Sequence, residues 1–309
     1  MTQPRGDETE VGPWFANREL GTLLFYRVNR RALSQVSLFA EQPADFFDHL
    51  VSVLPFGVPV DTGRRNRRRW RLGNEEVDET RRLLIGQIGY ERPDERPTDR
   101  YDEESKAWVD AIDLTESTAR APFVIDGITR NLVVLRHPTF SENTLADVFT
   151  TLLNREEQGR EFPTTEWDVE PILNEIEFLT WLRTAEAVHE VRFNAKLPNP
   201  EGKSEFEPVW SRMQARKAKA LREILEASDP DRGLVGIEDD PIARAYIAMA
   251  AEGFAYVTGK RKYEGRDDPY DQRRQVLKRR IGPLASTWAS VILQIIEVVL
   301  GARERPDRR

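Results

Sequence analysis

Pro122-Phe123-Val124-Ile125-Asp126-Gly127-Ile128-Thr129-Arg130-Asn131-Leu132-Val133-Val134-Leu135 decides the fold. Two runs of branched and aromatic residues flank Asp126-Gly127, the dipeptide that most readily takes the backbone of a tight hairpin turn. The segment therefore predicts two antiparallel strands. Ser141 then suits a helix N-cap ahead of a helix over Glu142 to Leu153, with Thr144 and Asp147 keeping its start polar. Trp167 to Pro171 reads as a short strand, Glu175 to Thr184 as a helix and Val188 to Phe193 as an alternating strand. The order β-β-α-β-α-β implies an α+β protein with mixed or antiparallel sheets and packed helices.

Before this centre, Leu20 to Asn29 reads as a strand, and Pro43 to Leu54 as a helix stopped by Pro55-Phe56-Gly57. Asp61 to Arg69 reads as a loop or hairpin tip, Arg82 to Tyr90 as a second strand, and Glu91 to Glu104, with Pro93 and Pro97, as a charged surface loop. Beyond the centre, the region from Phe206 reads as mainly helical. Helices are expected over Val209 to Ala227, Pro241 to Val257, Asp271 to Ile281 and Leu284 to Leu300, with a turn region at Gly259 to Asp268. Length favours two domains, which the reading places at 1–115 and 116–309.

Composition bounds the chemistry. The 309 residues include no cysteine, which excludes disulfides, thiolate metal sites and a cysteine nucleophile and suits a reducing compartment. No apolar run approaches the length of a membrane span, and Met1 to Glu10 is polar, so the expected location is the cytoplasm without membrane insertion. Histidines 49, 137 and 189 form no metal-binding spacing, no phosphate-binding glycine loop or nucleophile elbow is present, and no metal or other cofactor is expected. Glu238-Asp239-Asp240 precedes Pro241 and reads as charge complementing a helix N-terminus rather than as an ion site. A metal-dependent nuclease needs acidic residues near a [DE]-x-K strand. Asp168, Glu170 and Asn194-Ala195-Lys196 approximate that pattern, with Asn194 where a carboxylate belongs.

The net charge is −7, but it is segregated: −10 over residues 1–200 and +3 over residues 201–309. Arg64, Arg65, Arg67, Arg68, Arg69 and Arg71 surround Trp70 in one short stretch. Guanidiniums grip phosphate in bidentate fashion, and an interleaved aromatic can stack on a base. The alternative is a solvated loop paired with the acidic stretch Glu75 to Glu79. Further basic groups are Arg212, Arg216, Lys217 and Lys219; Lys260, Arg261 and Lys262; and Arg273, Arg274, Lys278, Arg279 and Arg280. Together they are candidates to line a groove for a nucleic-acid backbone. No base-reading motif accompanies them.

Several of these segments also resemble a known family. Pro122 to Gly127 with the strand after it, Ser141-Glu142-Asn143-Thr144-Leu145-Ala146-Asp147-Val148-Phe149, Val169-Glu170-Pro171 and Val191 to Pro198 are similar, in order and spacing, to segments of the RexA phage-exclusion proteins. The resemblance covers about residues 120–200. It implies a two-domain homodimer that binds duplex DNA without sequence preference in abortive anti-phage defence, and it adds Lys196 as a phosphate contact. Two alternatives remain beside that reading: a nuclease with a degenerate site, and a module that senses a phage or host protein.

Overall fold

The structure, a computed structural model, describes residues 20–32, 45–54, 57–62, 68–102, 107–159, 165–196 and 204–304, with the backbone alone for 93–117 and 304. The expected α+β protein with a mainly helical C-terminal region gives way to a sheet-dominated architecture. Among the described residues, twelve strands form two sheets, and every strand pair in them is antiparallel.

The first sheet has eight strands. They are β1 (Gly21–Ala32), β2 (Val60–Thr62), β3 (Arg68–Asp78), β4 (Leu83–Asp102), β5 (Ala107–Asp126), β6 (Asn131–Leu135), β7 (Thr165–Pro171) and β12 (Lys278–Ile281). They run in the order β12-β1-β6-β5-β4-β3-β2. One edge of β1 is shared: Gly21 to Leu24 face β12, and Tyr26 to Ala32 face β7. The β5–β6 hairpin forms where the sequence placed it, and the Asp126 carboxylate accepts from the amides of Ile128 and Thr129 to fix the turn. The segment expected as a loop, Glu91 to Glu104, instead continues β4 to Asp102 against β5. Beyond Glu91 that strand has β5 as its one partner among the described residues, so Pro93 and Pro97 lie in a two-stranded ribbon, where proline is tolerated. Positions 115 and 116 fall inside β5.

Both faces of this sheet are covered in part. One face packs Leu24, Tyr26, Trp70, Ile88 and Phe123 against α1 (Phe46–Val53) and α2 (Glu142–Gln158). The other packs Leu23, Ile85 and Val124 against α6 (Trp288–Glu304). Arg303 at the end of α6 binds the fully buried Asp126 carboxylate through two bonds of 2.7 and 2.8 Å.

The second sheet has the order β11-β10-β8-β9, formed by β8 (Ala187–Lys196), β9 (Ala220–Glu226), β10 (Ala255–Tyr263) and β11 (Arg266–Asp271). Its inner face packs on α3 (Glu175–Arg183), α4 (Glu207–Ala215) and α5 (Pro241–Ala251). Here the helical expectations fail for identifiable reasons. The helix expected to reach Ala227 ends at Ala215, because Lys217 adopts φ 49° and the Ala218 amide turns back to the Met213 carbonyl. The helix expected to reach Val257 ends at Ala251 in the same way, with Gly253 at φ 74° and the Phe254 amide bonded to the Met249 carbonyl. The helix expected over Asp271 to Ile281 is a short 3-10 turn at Gln272–Arg274 followed by β12.

The acidic run before α5 acts as a cap. Asp240 accepts from the amides of Ile242 and Ala243 at 2.7 and 3.4 Å. Asp240→Ala is expected to cost about 1 kcal/mol, read as a lower urea midpoint; an unchanged midpoint would show that the cap carries no stability. Among the described residues, no helix is long and apolar enough to cross a membrane.

Candidate functional site

The face of the first sheet that carries α6 is left open beyond Trp288, where that helix begins. Residues directly opposite one another in an antiparallel ladder share a face. Arg69 pairs with Glu91, Arg71 with Gly89, Gly73 with Gln87, and Gly89 in turn with Arg120. This register brings Arg69, Arg71 and Arg120 around a cleft of about 610 Å³ whose floor includes Gly73, Gly89 and Gln87. At Gly73 a Cβ would meet nothing within 4 Å, so the space above it is open. The side-chain amide nitrogen of Gln87 is buried and has no hydrogen-bond partner among the described residues. Arg69 and Arg71 reach Asp61 and Glu91 at 3.3 and 3.4 Å, through side chains that are 53% and 44% exposed. Ion pairs this exposed contribute little, so a phosphate can replace the carboxylates. Arg120 lies over the Trp288 ring at 5.2 Å.

Other members of the arginine-rich stretch have different roles. Trp70 is fully buried, tilted against Tyr90 and edge-on to Phe140 with centroids 5.0 Å apart in each case, and its indole N–H donates to Thr62 at 2.9 Å. It is a core residue with no face to offer a base. Arg68 donates to the Thr139 carbonyl and covers the Tyr90 ring. Arg64, Arg65 and Arg67 lie outside the described residues.

A second constellation joins the two sheets. Lys196 on β8 reaches across to β7, where its ammonium bonds Asp168 at 2.7 Å and also Glu170. Arg31 binds Asp168 at 2.7 Å, and Arg273 approaches Glu170 at 3.5 Å. Burial, and then the neighbouring Asp168, push the Glu170 carboxyl above its ordinary range, against the pull of Lys196 and Arg273. These are the residues the nuclease pattern singled out, and the tertiary structure does assemble three of them. Their chemistry does not fit a divalent cation: two carboxylates are already held by three cationic side chains. Asn194, in the position that should be acidic, turns its amide to the Tyr256 hydroxyl at 3.0 Å. Among the described residues, no cluster of three or more histidine, aspartate or glutamate side chains is placed to hold a metal ion.

The remaining basic residues are spread over several surfaces. Arg212 pairs with Glu223, Lys219 with Glu166, Lys260 with Glu190, Arg274 with Asp271, and Lys278 with Glu142. Arg261 is buried against Trp181 and bound to Asp268. Arg216, Lys217, Lys262, Arg279 and Arg280 are exposed. The Glu170 carboxylate links Lys196 with Arg273, whereas Lys260 and Arg261 pair with other acids, Glu190 and Asp268. Arg120 and Gln87 escaped the sequence reading. The alternation of Arg120 with buried Ala119 and Ala121 marks it as facing away from the α2 side, but nothing local reveals its register with Arg71.

The profile of a family described as a domain of unknown function (DUF4747) matches residues 75–282. No curated protein matches the chain.

Proposed function

We propose that this chain, which belongs to the DUF4747 family, binds duplex DNA through its phosphate backbone without sequence preference, in the cytoplasm, as part of a defence against phage. The observation that carries the binding is the convergence of Arg69, Arg71 and Arg120 on one open cleft. Guanidiniums offer forked donors matched to phosphate oxygens, and such contacts position a backbone without reading its bases. The absence of a base-reading motif from the sequence agrees with sequence independence. The defence setting draws its support from the RexA-like segments between Pro122 and Pro198.

The test is a mobility shift with random-sequence duplex at two salt concentrations, with and without Mg²⁺. Binding should weaken steeply as salt rises, since each phosphate contact releases counterions. The triple variant R69A/R71A/R120A should bind at least about tenfold more weakly and with a shallower salt slope. Gly73→Phe, which fills the cleft and removes no charge, should also weaken binding. An unaltered shift in both variants would remove the cleft from the proposal, and cleaved DNA in the Mg²⁺ lanes would favour a nuclease.

A further inference from the structure

We infer that β9 is the surface through which two copies of this chain join, edge to edge about a two-fold axis at Ile224. Among the described residues, β9 ends the four-stranded sheet and is paired to β8 alone, in an unbroken register from Ala220 to Glu226. The Ala227 amide donates to the His189 carbonyl. Backbone direction alternates along a strand. Leu221, Glu223 and Leu225 therefore turn their backbone groups toward β8, and Arg222, Ile224 and Glu226 turn theirs outward. Among the described residues, no backbone bond outside the β8 ladder engages that outer row.

Sheets guard exposed edges with prolines, bulges or clustered charge. The opposite edge of this sheet is guarded in that way: β11 carries Arg266, Asp267, Asp268 and Pro269. β9 has no proline, glycine or bulge; its charges, Arg222, Glu223 and Glu226, are of both signs, and Ile224 at its centre is 57% exposed. A large aliphatic side chain at the middle of an open, regular edge suits a strand partner.

The charges identify that partner as a second copy. Arg222 and Glu226 lie two residues either side of Ile224, both exposed; Glu226 also feels the charge of Arg192 on β8. An antiparallel pairing centred on Ile224 sets Ile224 against its own counterpart. It sets Arg222 opposite the second copy's Glu226, and the symmetry repeats that pair on the other side. The row is thus its own complement, the property an isologous two-fold interface requires. Opposite charges directly across a ladder stabilise it and like charges oppose it. The product is a continuous eight-stranded sheet built from two four-stranded ones. It stands independently of DNA binding.

Sedimentation velocity across a range of protein concentrations tests the assignment. The unaltered chain should show a concentration-dependent dimer. Arg222→Glu sets carboxylates opposite each other on both sides of the axis and should raise the dimer dissociation constant about tenfold or more. The double charge swap R222E/E226R restores opposite charges and should restore the dimer. Near-UV circular dichroism checks that both variants keep the native packing. A monomer at every concentration overturns the inference. So does an R222E chain that dimerises normally, or a double variant that stays monomeric.

Discussion

Lys196→Met should lower stability by about 3 kcal/mol at neutral pH, because it leaves two carboxylates at the joint between the sheets short of their shared cation. Glu170 is the more exposed to this loss in energetic terms, since its side chain is only 3% accessible to water. Arg31 and Arg273 remain beside the pair and limit the damage. The deficit should depend on pH with a definite sign. Glu170 already has its folded-state carboxyl raised by burial and by Asp168, and loss of Lys196 raises it further. A carboxyl that binds its proton more tightly when folded gains stability as pH falls through its folded value toward the unfolded one, about 4.3. The gap between variant and parent should therefore narrow from pH 7 toward about pH 5. Urea midpoints across that range measure it. A deficit that stays constant with pH would mean that Glu170 does not carry the penalty.

Trp70→Ala is expected to have a still larger effect, about 3–5 kcal/mol, through loss of a fully buried indole and the cavity it leaves. Trp70→Phe should cost less, since it retains the ring contacts with Tyr90 and Phe140 and gives up the bond to Thr62. The folded fraction of either variant should bind DNA as the parent does. Its neighbours should show the reverse: Arg69→Ala and Arg71→Ala remove exposed side chains, so binding falls while the urea midpoint hardly moves. Loss of binding in Trp70→Ala at unaltered stability would instead identify a stacking platform and contradict the packing described above.

The contrast between Trp70 and its neighbours follows from strand alternation. Six arginines around one tryptophan present the composition of a nucleic-acid contact. Once the segment from Arg68 is a strand, successive side chains point to opposite faces. Trp70 and Leu72 go to the core, while Arg69 and Arg71 go to the cleft. The period was present in the sequence, but charge density obscured it. The carboxylate–lysine cluster shows the converse. Asp168, Glu170 and Lys196 were legible as a set, yet their meaning depended on Arg31 and Arg273, which come from distant parts of the chain.

By itself the sequence determined the elements whose signals are local. The branched runs flanking Asp126-Gly127 set the β5–β6 hairpin, although its connection is a four-residue loop over Gly127 to Arg130, with Arg130 at φ 60°, rather than a tight two-residue turn. Helical spacing of apolar residues set α1, α2, α3 and α6 within a few residues of their observed ends. Where local preference and long-range pairing conflicted, pairing prevailed. Ala220 to Glu226 consists of six strong helix formers and one β-branched residue, Ile224, yet it lies as β9 because β8 offers a full ladder and the turn at Lys217 has already ended α4. Lys278 to Ile281, three charges and an isoleucine, is a strand only because β1 has an open edge there. The tertiary structure alone decided which arginines meet, since register is held by hydrogen bonds to segments far away in the chain, whereas capping and helical periodicity act within a turn or two.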